Sequence, residues 1–245
     1  FFLLFFYSNI IGLNPALAGS AIFIALCVDA VTDPLMGTIS DRTNSSYGRR
    51  HPFMMISFIP MSLGYIFLFA PRQDWDMSQS DLFIWMTIFT VITRIGMTLF
   101  DIPHRAFGGE ITKNYKERTI LMSWREMFGW VAGLSNAFLG YGIFFTSTSE
   151  YPQGQLNPDA WFPFAVTGAI FMIISVLYSS LSTKGEIKSL SKWSGSISLS
   201  DIFNELKIAI GNKSFLIFFF GNLFLSLAWG LANTLTLFVN TYFWE

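Results

Sequence analysis

The sequence predicts an all-α protein that crosses a membrane several times. Hydrophobic residues make up 52% of the chain and charged residues only 13%, and the apolar residues lie in long runs. Runs of about 20 apolar residues are what an α-helix needs to cross a bilayer. The net charge of −1, without a basic cluster, gives no sign of a nucleic-acid-binding surface. The single cysteine, Cys27, excludes an intramolecular disulfide.

Seven apolar stretches mark the predicted helices, which we number one to seven. The first, residues 1–11, is too short to span a bilayer, and we interpret it as the end of a helix whose start is missing. Six longer stretches follow, separated by turns rich in Pro, Asn, Gly and Ser: residues 16–40, 52–70, 82–106, 117–146, 161–181 and 214–243. The predicted parts are an N-terminal transmembrane half, a connecting loop and the first helix of a second half: residues 1–181, 182–213 and 214–245.

The loops between these helices alternate in charge. The loops at 41–51, 107–118 and 182–213 together carry eleven Lys or Arg residues, whereas the opposite loops carry only Arg72. Basic loops stay on the cytoplasmic side of a membrane, so we expect these three loops and the N-terminus to be cytoplasmic. Within the longest loop, LSDIFNELKIAI with Ser200 as a candidate N-cap predicts a short amphipathic helix. It would lie on the membrane surface or serve as an ordinary linker helix.

Helix two contains two carboxylates in an otherwise apolar run. Asp29 and Asp33 are four residues apart and share one helix face, with Thr32 beside them. Pro34 has no backbone N–H and leaves the carbonyl oxygen four residues earlier without its helical donor. These oxygens suit a hard cation such as Na⁺. Alternatively, the two acids share a proton, because like charges disfavour ionising both, or they form an ion pair with an arginine of another helix.

Helices four and five carry further charges at membrane depth. Helix four has a polar stripe at spacings of 4, 3 and 4, formed by Arg94, Thr98, Asp101 and Arg105. A charge this deep in a membrane is costly unless it is paired or functional. Arg94 and Asp101 must therefore face the protein interior, whereas Arg105 is close enough to the cytoplasmic end to extend to the surface. Arg125 in helix five needs a partner, and Asp101 is the natural candidate.

Several segments together resemble one transporter family. DAVTDPLMG, followed by DRTNSSYGRRHP, resembles the helix-two signature of the glycoside–pentoside–hexuronide:cation symporters, the melibiose-permease-like branch of the major facilitator superfamily. TLFDIP at 98–103 and ERTILMSWRE at 117–126 resemble the helix-four and helix-five motifs of the same family. The resemblance implies the major facilitator fold. This chain would supply its N-terminal six-helix half, with helix one truncated, and helix seven.

The resemblance also implies roles for individual residues. The residues implied to bind the coupling cation are Asp29, Thr32, Asp33 and Thr98, of which Asp29 and Asp33 would be the metal ligands if the ion is Na⁺. The substrate would be bound by Asp101 and Arg125, and the charge pattern adds Arg94 and Arg105. Residues 37–50 resemble the cytoplasmic gate motif of the superfamily, with Asp41 and Arg42 at its core. The other gate residues are Gly37, Gly48, Arg49 and Arg50.

The implied function is symport of a sugar or glycoside with Na⁺ or H⁺ by alternating access, with no enzymatic activity and no cofactor. We expect a monomeric protein of a bacterial inner membrane, whose partners are the sugar, the coupling cation and the lipid bilayer, and not nucleic acid. Melibiose permeases have asparagine at the position of Thr32, so Na⁺ and H⁺ both remain open. They have an aromatic residue at the position of Arg105. The surplus of arginines over Asp101 favours an acidic sugar such as a hexuronide.

Two other functions fit parts of the pattern. Lysolipid carriers share the fold and its helix-two acids, and a wide lipid-facing opening between helices would favour such a cargo. Intramembrane enzymes and retinal pumps also bury carboxylates. A retinal pump needs a lysine in the middle of a helix, and every lysine of this chain falls in a predicted loop. The only histidines are His51 and His104, and they have no visible ligand partners for a metal.

Overall fold

The computed structural model describes residues 2–43, 45–189, 208 and 210–243. Within these residues the regular secondary structure is helical and no strand is formed. The chain divides into two compact units. The larger unit is Phe6–Ser191, and the smaller unit combines Phe1–Phe5 with Lys192–Glu245.

The helices follow the predicted order, and we label them α1 to α7. They are α1, Phe2–Phe5; α2, Pro15–Arg42; α3, His51–Ile56 and Phe58–Leu68; α4, Gln79–Glu110; α5, Tyr115–Leu139; α6, Trp161–Ser182; and α7, Lys213–Tyr242. Six of them, α2 to α7, are long and apolar enough to cross a membrane. The prediction of an all-α multi-pass membrane protein is therefore confirmed.

Some helix boundaries differ from the predicted ones. Predicted helix three is interrupted at Ser57, whose hydroxyl donates a hydrogen bond to the Met54 carbonyl at 2.7 Å and so competes with the regular helical pattern. α5 ends at Leu139 and continues as a π-helical turn, Gly140–Phe144, instead of running as one α-helix to 146. The predicted amphipathic helix beginning at Ser200 lies outside the described residues, apart from positions 208 and 210.

α2 and α4 run side by side and parallel. At their N-terminal ends, the Asn14 amide donates to Gln79 Oε1 at 2.8 Å, and in their second halves Thr98 Oγ1 donates to Asp33 Oδ1 at 2.7 Å. The two residues of each pair are 65 positions apart in the sequence. A constant offset is what two parallel helices in fixed register produce, because both rise by the same distance per residue. Each residue on the facing side of α2 therefore meets a defined residue of α4.

The ends of these helices are fixed by side-chain caps. Asn14 accepts a hydrogen bond from the Ala16 amide, and Pro15, which has no N–H to satisfy, occupies the first position of α2. Ser78 and Asp81 form a capping box at the start of α4. The caps set where α2 and α4 begin and thereby set their register.

α3 and α4 approach most tightly around two glycines. A Cβ atom added at Gly96 of α4 would lie 2.5 Å from the Met61 nitrogen and 2.7 Å from the Met61 Cα. A Cβ added at Gly64 of α3 would lie 2.6 Å from Thr93 Oγ1. The absence of a side chain at these positions allows the two backbones to approach, as small residues do between membrane helices.

We expect Gly96→Ala to force α3 and α4 apart and to lower the melting temperature. The added methyl group would clash with the Met61 backbone, which cannot move aside as a flexible side chain can. Overpacking of this kind costs about 1–3 kcal/mol, or roughly 2–12 °C for a chain of about this length. Thermal unfolding of the purified full-length protein in detergent measures the shift. The matched control is Gly133→Ala in α5, where a Cβ meets nothing within 4 Å; equal losses in the two variants would contradict this packing.

Aromatic side chains fill one end of the larger unit. Trp161, at the start of α6, is fully buried, and its ring centroid lies 4.6 Å from that of Phe145 and 5.2 Å from that of Phe6. The ring of Phe69 stacks on the other side, at 6.0 Å. At the opposite end, α2 and α4 finish and α3 begins, directly after Arg49 and Arg50. We call this end the basic end. In the smaller unit, the ring of Phe5 contacts that of Phe238 on α7.

Candidate cation and substrate site

The two carboxylates of α2 both face α4. Arg94 donates a hydrogen bond to Asp29 Oδ2 and forms an ion pair with it. One turn further along both helices, Thr98 Oγ1 donates to Asp33 Oδ1 at 2.7 Å. The structure therefore brings three of the predicted cation-binding residues, Asp29, Asp33 and Thr98, to one interface. The Arg94–Asp29 contact is also the ion pair with an arginine of another helix that the sequence left as an alternative.

The remaining oxygens at this interface fit a hard cation. Asp29 Oδ1 and Thr32 Oγ1 are buried, and neither has a hydrogen-bond partner among the residues that the structure describes. Pro34 lies inside α2 and provides no donor for the carbonyl of Ala30. Carboxylate, hydroxyl and carbonyl oxygens are the ligands that hard cations prefer. Asp29, Thr32 and Asp33 are therefore suited to hold Na⁺, and Thr98 orients the Asp33 carboxylate.

A second charged cluster begins three residues after Thr98. Asp101 Oδ1 accepts a hydrogen bond from Arg125 Nη2 of α5 at 3.0 Å, which confirms the predicted partner of Arg125. Asp101 Oδ2 lies 2.7 Å from Arg105 Nε, one turn along α4. Glu126 does not turn inward, because its side chain is 74% exposed and lies 4.0 Å from Arg125. Arg105 and Arg125 thus share the Asp101 carboxylate, and these three side chains together carry one positive charge in excess, while the exposed Glu126 is a more distant partner of Arg125.

The position of Arg94 corrects the grouping suggested by the sequence. Its place on the polar stripe of helix four groups it with the substrate residues Arg105 and Arg125. In the structure its guanidinium group contacts Asp29 instead, because the parallel register of α2 and α4 places these two residues opposite each other. The positive charge that a substrate would meet beside Asp101 therefore comes from two arginines and not from three.

Four charged side chains meet at the basic end. The Arg50 side chain, only 4% exposed, lies 2.6 Å from Asp41 Oδ1 and 2.9 Å from Glu110 Oε2. Arg49 Nη2 lies 2.6 Å from Glu110 Oε1. Gly48 has the left-handed backbone conformation, with φ of 78°, that the tight turn before these arginines requires. This basic-end cluster ties the end of α2 and the start of α3 to the end of α4.

The composition of this cluster differs from the predicted gate core of Asp41 and Arg42. Arg42 is exposed, and it forms no ion pair with the part of the chain that the structure describes. Asp41 instead pairs with Arg50 within the same unit, so it does not require a docking surface on another half. Glu110 was missed because predicted helix four stops at 106, whereas α4 runs to 110. An acid opposite a loop that contains two adjacent arginines was the signal available in the sequence.

A cavity of about 580 Å³ lies between α3, α5 and α6, and Phe100 of α4 also contributes to its lining. Its lining includes Tyr65, Asn136, Phe164 and Phe171, and none of its lining residues is charged. Its described lining includes none of the charged residues of the two clusters or of the basic end. Gly37, the first residue of the predicted gate motif, lies far along α2, where a Cβ would contact Ile102 of α4 at 3.7 Å.

Comparison with known proteins identifies the family. A sequence profile of the family described as MFS/sugar transport protein matches residues 1–245, the whole chain. The chain belongs to this family. Its membership in the MFS/sugar transport family confirms the predicted major facilitator fold and the resemblance to symporters. Proteins of this family are transporters and not enzymes, and they need no cofactor.

Three relatives illustrate the proteins to which this chain is similar, and two of them are named for a cargo. An uncharacterized symporter of Synechocystis sp. is 33% identical over 184 residues, which cover 74% of this chain and 33% of that protein. A lactose permease of Leuconostoc lactis is 25% identical, with 72% of this chain and 27% of that protein covered. A sodium-dependent lysophosphatidylcholine symporter of Danio rerio is 32% identical, with 54% and 25% covered. The chain thus spans no more than about a third of the length of these curated relatives.

Proposed function

We propose that the protein is a secondary active transporter that carries a sugar or glycoside together with Na⁺ or H⁺ by alternating access. The observation that carries this proposal is the adjacency of two clusters on α4. Thr98 belongs to the cluster formed with Asp29, Thr32 and Asp33, which we call the cation cluster. Asp101, three residues later on the same face, belongs to the cluster formed with Arg105 and Arg125, which we call the substrate cluster. The relatives named symporter and lactose permease support the same reading.

The two clusters suit a coupled mechanism. A cation would neutralise the carboxylates that α2 presents to α4, and Asp101 and Arg125 would bind sugar hydroxyl groups as acceptor and donor. Since one helix supplies residues to both clusters, occupation of one site can change the position of α4 and so the affinity of the other. Linkage requires the effect to be reciprocal: a cation that tightens sugar binding is itself bound more tightly when sugar is present.

We further propose the orientation and division predicted from the loops. The basic end would face the cytoplasm of a bacterial cell, because loops rich in Lys and Arg are retained there. The basic-end cluster, centred on Arg50, would act as the cytoplasmic gate by joining α2, α3 and α4. Residues 1–181 would form the N-terminal half, 182–213 the cytoplasmic connection and 214–245 the first helix of the second half, in a monomeric protein of the inner membrane.

Within this function we expect a preference for acidic sugars. Arg105 and Arg125 outnumber Asp101 in the substrate cluster, and a guanidinium group binds a carboxylate by charge-assisted hydrogen bonds. A hexuronide should therefore compete for uptake on the order of tenfold better than the neutral glycoside of the same sugar. The measurement is competition in cells that express the full-length protein, with and without Na⁺.

Variants separate this preference from a general effect of charge. Arg105→Gln should abolish the preference for the uronide, because the excess positive charge is then removed. Arg72→Gln, in an exposed pair with Asp74 outside both clusters, should leave it unchanged. Full competition by neutral glycosides with none by uronides would contradict the preference for acidic sugars.

The apolar cavity favours a second candidate function, the transport of a lysolipid. A cavity of about 580 Å³ with no charged lining between α3, α5 and α6 offers an apolar environment within the membrane span, and one relative is named a lysophosphatidylcholine symporter. The same uptake assay decides between the cargoes when a lysolipid is included in the panel. Uptake of the lysolipid without uptake of any sugar would replace the first proposal by this one.

A further inference from the structure

Arg94 occupies the cation site from within the protein. Its guanidinium group is paired with Asp29 Oδ2, and the two side chains are 34% and 18% exposed. Asp29 Oδ1 is buried and has no hydrogen-bond partner within the described part of the chain, and the same is true of Thr32 Oγ1 on the same helix. Within the described residues, Asp29 Oδ2 is therefore paired with the positive charge of Arg94, whereas Asp29 Oδ1 has no partner.

The pairing changes the charge that a coupling ion would meet. Without Arg94, the carboxylates of Asp29 and Asp33 would carry two negative charges one helical turn apart. With Arg94 in place, the three groups carry one negative charge. Beyond them, Arg105 also interacts electrostatically with Asp33, and its charge is shared with Asp101. The described residues at the α2 carboxylates thus leave an external cation one negative charge in place of two.

A cation that uses Asp29 Oδ1 would lie within a few ångströms of the Arg94 guanidinium group, since both would contact the same carboxylate. Like charges at such a distance in a partly buried site repel each other strongly. Desolvation adds to the effect, because the neighbouring oxygens are screened from water. Na⁺ must therefore either displace Arg94 from Asp29 or bind beside it at reduced affinity.

We propose that Arg94 is a specificity-determining residue that acts as a resident counter-cation of Asp29 and lowers the affinity of the site for Na⁺. This inference rests on the proposed function, because it concerns the coupling ion of the same site. It assigns to Arg94 a role in cation selection instead of the substrate binding that its position in the sequence suggests. Asp33 and Thr32, whose hydroxyl has no hydrogen-bond partner among the described residues, then remain available to the coupling ion.

Removing the charge at Arg94 tests the proposal directly. Titration of NaCl into the purified full-length protein, at constant ionic strength maintained with choline chloride, gives the Na⁺ dissociation constant by calorimetry. Arg94→Gln should tighten Na⁺ binding on the order of tenfold or more relative to wild type. Arg72→Gln, which removes an exposed arginine elsewhere, is the matched control and should change it less than about twofold.

Two further variants keep the test decisive if Asp29 without its partner prevents folding. Asp29→Asn leaves Arg94 beside Asp33 and should abolish Na⁺ binding, whereas Asp29→Asn combined with Arg94→Gln should restore it in part. The proposal would be overturned if Arg94→Gln bound Na⁺ no more tightly than wild type does. It would also be overturned if Asp29→Asn and the double variant, Asp29→Asn with Arg94→Gln, bound Na⁺ with the same affinity. Sugar binding is measured on the same samples. Its absence from wild type would defeat the proposed function, while the Na⁺ titrations would still decide the role of Arg94.

Discussion

Replacing Asp33 by Asn is expected to abolish uphill sugar accumulation while sugar binding survives. Asp33 presents a carboxylate at the α2–α4 interface, where Thr98 holds it by a 2.7 Å hydrogen bond. Asparagine keeps the shape of the side chain and can still accept the hydrogen bond, but it removes the negative charge that a coupling cation needs. The variant should equilibrate sugar across the membrane and fail to concentrate it. Its sugar affinity should also stop responding to the cation, by linkage.

The matched variant is Asp101→Asn, three residues beyond Thr98 on the same helix. It should show the opposite behaviour, because Asp101 contacts Arg105 and Arg125 and not the α2 carboxylates. We expect it to lose about tenfold or more in sugar affinity and to keep its cation binding. Sugar binding to purified full-length protein across a Na⁺ series and a pH series measures both. If Asp33→Asn retains cation-stimulated accumulation, the helix-two carboxylates are structural and the proposed coupling site is wrong.

Glu110→Gln is expected to destabilise the protein more than any change at the predicted gate residue Arg42. One Glu110 carboxylate contacts both Arg49 and Arg50, whose side chains are 12% and 4% exposed. Glutamine keeps one acceptor oxygen but removes the negative charge, so among the described residues Arg49 loses its ion-pair partner and Arg50 keeps only Asp41. Removing one partner from a buried charge pair costs about 3 kcal/mol, which corresponds to roughly 6–12 °C in melting temperature for a protein of this size.

The control for this prediction is Arg42→Gln, because Arg42 lies in the same segment of the chain but is exposed. It should lower the melting temperature of the purified full-length protein by less than about 2 °C, as expected for a surface substitution. A loss at Arg42 that matches the loss at Glu110 would show that the ion pairs of the basic-end cluster do not stabilise this end of the protein. The comparison therefore separates the basic-end cluster, which we propose as the gate, from the gate core that the motif suggested.

The helices and the sites of buried charge could be predicted because each leaves a local trace in the sequence. A carboxylate such as Asp29 within an apolar run is costly wherever the run folds, so its presence alone indicates a partner or a function. The pairing of Arg125 with Asp101 was also predictable, since both are deep in their helices and of opposite charge. Helix ends were less accurate: predicted helix four stops at 106, before Gly108 and Gly109, whereas α4 continues through both glycines to Glu110.

The sequence by itself determined that this chain is an all-α membrane protein, where its helices lie and which side chains carry charge into the membrane. Hydrophobicity and helical periodicity act over neighbouring residues, so they can be read without knowing the fold. Only the tertiary structure decided which of those charges meet. Arg94 is seven residues from Asp101 and belongs by sequence to its stripe, yet it pairs with Asp29, 65 positions away. The reason is the parallel register of α2 and α4, which depends on caps and contacts at both helices and leaves no periodic pattern in either one.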